Sequence, residues 1–155
     1  MSDLIGLIEV KAAAESFLRT VFLGPSPLSR GDRVNLIRPT DEDYALVFGA
    51  NAESVKAGYA PLWTSGALPE PKAGQTDLAV FVADPKLLST ANSASDRFPG
   101  GYRKIAHLLD PGTAWVALRY TAPGSSAGML YDGLVPRPDG RFVWFPKPWR
   151  VLDTE

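Results

Sequence analysis

Residues 112–152 read GTAWVALRYTAPGSSAGMLYDGLVPRPDGRFVWFPKPWRVL, and this stretch decides the fold. Ala114, Val116, Leu118 and Tyr120 alternate with Trp115, Ala117, Arg119 and Thr121, the period of two that a strand imposes. Pro123-Gly124-Ser125-Ser126 turns the chain into a second run, Met129 to Val135, and Pro138-Asp139-Gly140 turns it into a third, Arg141 to Phe145. An antiparallel meander follows. Asp132-Gly133 is itself a hairpin signal, but a turn there would leave strands of only a few residues. The spacing therefore predicts a bulge or bend inside one strand.

Upstream of the meander the pattern is helical. Leu4, Leu7, Ile8, Ala14, Leu18, Val21 and Phe22 recur at three and four residues, predicting a helix from Asp3 to Leu23 that Gly24-Pro25 ends. Pro25 to Arg30 reads as loop, and Arg33 to Ile37 is a short run that fits either a helical turn or a strand, with helix preferred. Thr40-Asp41-Glu42-Asp43 has the form of a capping box, so a helix is expected to start at Asp41. Asn51 caps a further segment with Val55, Tyr59, Leu62 and Trp63 inward; Pro61 predicts its end near Ala60. The proline-bearing run from Thr64 to Gly74 reads as loop. Leu78 to Ala83 is an apolar strand covered on both faces, and Asp84-Pro85 opens a brief helix through Ser89. Thr90 to Asp96 reads as a mobile loop and Phe98 to Tyr102 as a flexible junction. Ile105, His107 and Leu109 read as one side of a further strand.

Helices first, then one strand, a short helix and a meander define an α+β domain spanning residues 1–155, with N-terminal helices on a curved antiparallel sheet of about four to six strands. The element order, the opening helix with Phe17-Leu18, the following Gly31-Asp32, and the closing strand Asp139-Gly140-Arg141-Phe142-Val143-Trp144 resemble the nuclear transport factor 2-like, or cystatin-like cone, superfamily. That resemblance implies a curved sheet wrapped around a long helix, with a pocket at the open end of the cone. It implies no particular activity, because the superfamily spans isomerases, dehydratases, cyclases and plain binding or dimerisation modules. The clear early acid and histidine pair of those enzymes is lacking.

Composition narrows the function classes. The 155 residues carry a formal net charge of −1, which leaves no basic surplus to neutralise a nucleic-acid backbone. No apolar run approaches a membrane span, and the opening residues lack the basic segment and cleavage site of a signal peptide, so a soluble, cytoplasmic protein is expected. One histidine and no cysteine support no metal site, and no phosphate loop or other cofactor motif occurs, so no cofactor is expected.

The polar residues that suit chemistry are few. His107 titrates near neutrality, and Asp132, set among Leu130, Tyr131, Gly133 and Leu134, places a carboxylate in apolar surroundings that raise its pKa. Facing one cavity, the two would form an acid/base couple; the competing readings are a strand histidine and a turn aspartate bonded to backbone. Arg119, Tyr131, Tyr102 and Trp115 are candidate ligand-binding residues, Arg119 through its planar fork and Tyr102 on a lip over a site. Lys147, Trp149 and Arg150 set an aromatic beside two cations on a proline-extended segment, which suits a protein contact as well as packing back onto the sheet. A carbohydrate platform of Trp115, Trp144 and Trp149 competes with inward packing of the same rings. The leading reading is a non-catalytic ligand-binding or protein-interaction module, with a small-molecule ligand and homodimerisation through an open sheet face as partner classes. The alternative is a cofactor-free acid/base enzyme using Asp132 and His107.

Overall fold

The computed structural model describes residues 2–25 and 28–152, with side chains from residue 6 onward. It is an α+β structure with a four-stranded antiparallel sheet in the order β1-β2-β3-β4: β1 Asp77–Ala83, β2 Trp115–Thr121, β3 Leu130–Pro136 and β4 Phe142–Trp144. The helices are α1 Ser2–Leu18, continued by a π-helical turn Arg19–Leu23, then α2 Arg30–Ile37, α3 Asp41–Phe48, α4 Ala52–Ser65, α5 Pro85–Leu88 and α6 Gly101–Ile105. Residues 26 and 27, inside the expected loop from Pro25 to Arg30, lie outside the described residues.

Alternation along the strands sorts the core into two layers. Trp115, Ala117, Val135 and Val143 face α3, α4, α5 and α6, whereas Val116, Leu118, Tyr120, Leu134, Phe142 and Trp144 face α1 and α2. Helices therefore cover both faces of the sheet. The open sheet face expected for homodimerisation is absent among the described residues, because both alternate sets of side chains are buried against helices.

The bulge falls where the sequence places it. Val116 pairs with Leu134 and Leu118 with Tyr131, so β3 carries one residue more than β2 across this interval. Tyr131 and Leu134, an odd number of residues apart, consequently lie in the same layer. Gly133 makes this possible with φ +88°, and a Cβ there would come within 2.2 Å of the Phe145 carbonyl oxygen.

The capping box of α3 forms in full: Thr40 Oγ1 accepts from the Asp43 amide, and Asp43 Oδ2 accepts from the Thr40 amide. Asp84 caps α5 by a single bond, its Oδ1 accepting from the Leu87 amide, whereas the Asn51 side chain makes no capping bond to α4. Three expectations are corrected. The fourth helix runs through Pro61 to Ser65, because Trp63 is buried and donates Nε1 to the Tyr44 hydroxyl at 3.2 Å, and packing outweighs the hydrogen bond that proline removes. The junction from Phe98 and the run holding His107 are not extended; they form α6 and a 3₁₀ turn, Ala106–Leu108. Tyr102, Ile105, Ala106 and Leu109 are buried at helical spacing, a period that alternate reading of Ile105, His107 and Leu109 conceals. The run from Thr90 to Asp96 is bonded internally and ends in a 3₁₀ turn, Ser95–Arg97: Asn92 and Ser95 bond each other's backbone amides, and Ser95 Oγ donates to the Thr90 carbonyl.

Candidate functional site

The bulge aims Asp132 away from solvent, and its residue surface is only 2% exposed. Oδ1 accepts from the Tyr102 hydroxyl at 2.7 Å and from the Lys147 amide at 2.8 Å. Its carbonyl accepts from Trp144 Nε1 at 2.8 Å. One residue thus ties α6, β4 and the segment after β4 together. Lys147 holds a left-handed backbone, φ 49°, that points its amide at the carboxylate, and the turn Pro148–Arg150 follows. Burial raises the Asp132 pKa above the ordinary carboxylate value; the Lys147 amide, the Tyr102 hydroxyl and the charges of Lys147 and Arg150 offset that shift in part. Beside the buried carboxylate, the Tyr102 and Tyr59 phenols are held well above their usual range, burial being the larger cause.

A groove of about 570 Å³ opens beside Asp132, between α4, the start of β3 and the segment after β4. Leu62, Leu130, Trp144 and Val151 supply apolar wall, and Lys147 and Arg150 stand exposed at it. Neither cation has an ion pair or side-chain hydrogen bond among the described residues. Asp132 Oδ2 accepts no hydrogen bond from any described residue, so the second oxygen of this buried carboxylate is left for whatever occupies the groove.

The other candidates distribute differently. His107 is exposed on its helical turn and lines another groove, with Phe48, Asn51 and Asp110, that shares no residue with the one at Asp132. The acid/base couple is therefore not assembled. Trp115 is fully buried in the core and presents nothing to a ligand, because its strand face is covered by Phe48, Tyr102 and Phe145. Tyr102 is 1% exposed on α6 and is no lip; its hydroxyl is committed to Asp132. Arg119 is half-buried outside the groove, donating Nε to the Gly128 carbonyl. Tyr131 does line the groove, with its hydroxyl donating to the Glu70 carbonyl. Trp149 is half-buried and packs edge-on to Tyr102, 5.2 Å between centroids, above Gly101. The three tryptophans form no shared platform, since Trp115 and Trp144 belong to opposite layers.

No family model, curated protein or solved structure matches the chain. Among the described residues no helix is long and apolar enough to cross a membrane, and no group of three or more acidic or histidine side chains could hold a metal ion.

Two features escaped the sequence. The first is the α4 wall of the groove, Gly58, Tyr59 and Leu62, for which a glycine in mid-helix was the available signal. A Cβ on Gly58 would lie 2.7 Å from Val151 Cγ1, so the glycine records how closely α4 meets the closing segment. The second is an ion cluster away from the groove. Asp43, 2% exposed, accepts from Arg137 Nε at 3.1 Å and from both terminal nitrogens of Arg141 at 3.1 Å. Burial opposes ionisation of Asp43, but the Arg141 guanidinium and the bonds with Thr40 outweigh it and hold the pKa below the ordinary value. Its arginine partners lie more than ninety residues away in sequence, and no local pattern announces them.

Proposed function

We propose that this protein is a non-catalytic binding module whose groove beside Asp132 takes a small amphipathic ligand: an apolar body carrying a hydrogen-bond donor and an anionic group. The observation that supports it is the unaccepted Oδ2 of a carboxylate that is otherwise fully employed in structure. A donor on the ligand would satisfy it, the apolar body would cover Leu62, Leu130 and Val151, and the anion would meet Lys147 and Arg150. Binding rather than catalysis is favoured because the titratable partner expected for Asp132, His107, lines a different groove. Kinship with the nuclear transport factor 2-like superfamily is part of the proposal and not among its supports.

The probes are L-leucine, 4-methylpentanoate, which lacks the amine, and 3-methylbutylamine, which lacks the carboxylate. Titration followed by amide chemical shifts is expected to move resonances of residues 129–133, 147 and 149–151, with leucine binding tighter than either truncated analogue. Asp132→Asn, which retains an acceptor for Tyr102 and Lys147 but presents an amide donor to the groove, is expected to lose the preference for the amine. No perturbation of these residues by any of the three probes at millimolar concentration overturns the reading.

A further inference from the structure

A second groove, of about 470 Å³, runs along the outer edge of β1, remote in lining from the site at Asp132. Its floor is Val80, Phe81 and Val82; one wall is α1 through Leu7, Ile8 and Lys11, and the other holds Leu87, Ala94 and Arg97. β1 is an edge strand, bonded to β2 alone across seven unbroken pairs from Asp77–Thr121 to Ala83–Trp115. Every second residue of such a strand turns its N–H and C=O outward. No side-chain hydrogen bond, loop or cap among the described residues takes up an outward group of residues 78–83. The usual protections of an edge are missing as well: from Leu78 to Ala83 there is no proline, no charge and no bulge.

The walls specify what fits. A second copy pairing β1 with β1 would bring α1 and the turn at residues 93–97 of each copy against the same walls of the other. A single extended strand laid between the walls meets no such obstacle. Its alternate side chains would face the two walls in turn, onto Leu7 and the 61%-exposed Ile8 on one side and Leu87 and Ala94 on the other. Among the described residues, the charged side chains lining the groove are both cations, Lys11 and Arg97. Neither is ion-paired among the described residues, and Arg97 is stacked 5.3 Å over the Phe81 ring.

We infer that the β1 edge is a docking site for an extended acidic peptide, which adds to the sheet as a fifth strand next to β1 and places neighbouring acidic side chains against Lys11 and Arg97. Main-chain bonds to the free edge supply affinity, and the apolar walls and two cations supply selection. Because neighbouring residues of a strand point to opposite faces, the two cations call for acids at adjacent positions of the peptide.

The test uses the full chain and a blocked, fluorescently labelled octapeptide of valine and threonine with two adjacent glutamates at its centre. Fluorescence anisotropy is expected to detect binding, with the outward-facing amides among residues 78–83 gaining protection from hydrogen exchange. Replacing the glutamates by lysines is expected to weaken binding about tenfold or more, as two lost charge pairs imply. The double variant Lys11→Glu, Arg97→Glu, made at two exposed positions, is expected to invert this preference. N-methylation of alternate peptide amides is expected to abolish binding in one of the two registers. Absence of binding overturns the inference, as does binding indifferent to both charge exchanges. A concentration-dependent dimer in light scattering that protects the same amides without peptide overturns it in favour of pairing between copies.

Discussion

The Tyr102 hydroxyl and Asp132 Oδ1 lie 2.7 Å apart, joining the first turn of α6 to the bulge of β3 across the interior. This bond and the one from the Lys147 amide make Asp132 a structural residue before it is anything else. Asp132→Ala leaves two donors without their acceptor, one of them a buried phenol, and is expected to destabilise by about 2–4 kcal/mol in urea unfolding. Asp132→Asn keeps an acceptor and is expected to cost about half as much or less.

The two buried aspartates respond to acid in opposite senses. Asp43 has its folded pKa below the ordinary 3.8, so its contribution is complete above that value and is lost as pH falls through the lower folded pKa. Asp132 has its folded pKa raised above 3.8, so the folded state holds its proton more tightly than the unfolded one. Its contribution is greatest below 3.8 and declines as pH rises through the folded pKa. Stability of the wild type minus that of Asp132→Asn, measured from pH 3 upward, is therefore expected to fall with rising pH and then level off.

Removing Asp43 strands a buried guanidinium. Asp43→Ala is expected to cost about 3–5 kcal/mol, because Arg137 stays buried without its counter-charge. Arg141→Ala, at a partly exposed position that leaves Arg137 and Asp43 paired, is expected to cost about 1 kcal/mol. Guanidinium unfolding of the two variants should separate them clearly.

Trp149 and Gly101 form one contact seen from two sides. A Cβ on Gly101 would fall 2.3 Å from Trp149 Cδ2, so Gly101→Ala must push the indole off Tyr102. Both Gly101→Ala and Trp149→Ala are expected to destabilise by about 1–3 kcal/mol, and the double variant by less than the sum. Strict additivity in thermal unfolding would show that the ring is not seated on this glycine.

Gly133 bears the strain of the bulge. Gly133→Ala combines a positive φ with a clash against the Phe145 carbonyl, which accounts for an expected loss of about 2–5 kcal/mol and a shifted β3 register. Chemical shifts of β3 and β4 amides would report the register.

Much of this architecture is local in origin. Alternation in residues 114–121, the turns at Pro123-Gly124 and Asp139-Gly140, and the capping box at Thr40 are written in neighbouring residues, and the α+β class and its meander follow from them. The bulge was legible too, because Asp132-Gly133 left too little strand on either side for a turn. Reading failed where a short segment satisfied two periods, as at residues 101–109, and where packing overrode a propensity, as at Pro61 within α4. Asp132 could be singled out as a carboxylate among apolar neighbours, yet its partners Tyr102 and Lys147, the α4 wall of its groove and the separation of His107 could not. Which residue types and which periods the chain carries is settled by sequence alone. Which of them meet is settled by the folding of helices onto both faces of one sheet. That folding brings residues 30 to 98 positions apart within hydrogen-bond reach. Burial then gives their charges the altered proton affinities that no stretch of neighbouring residues specifies.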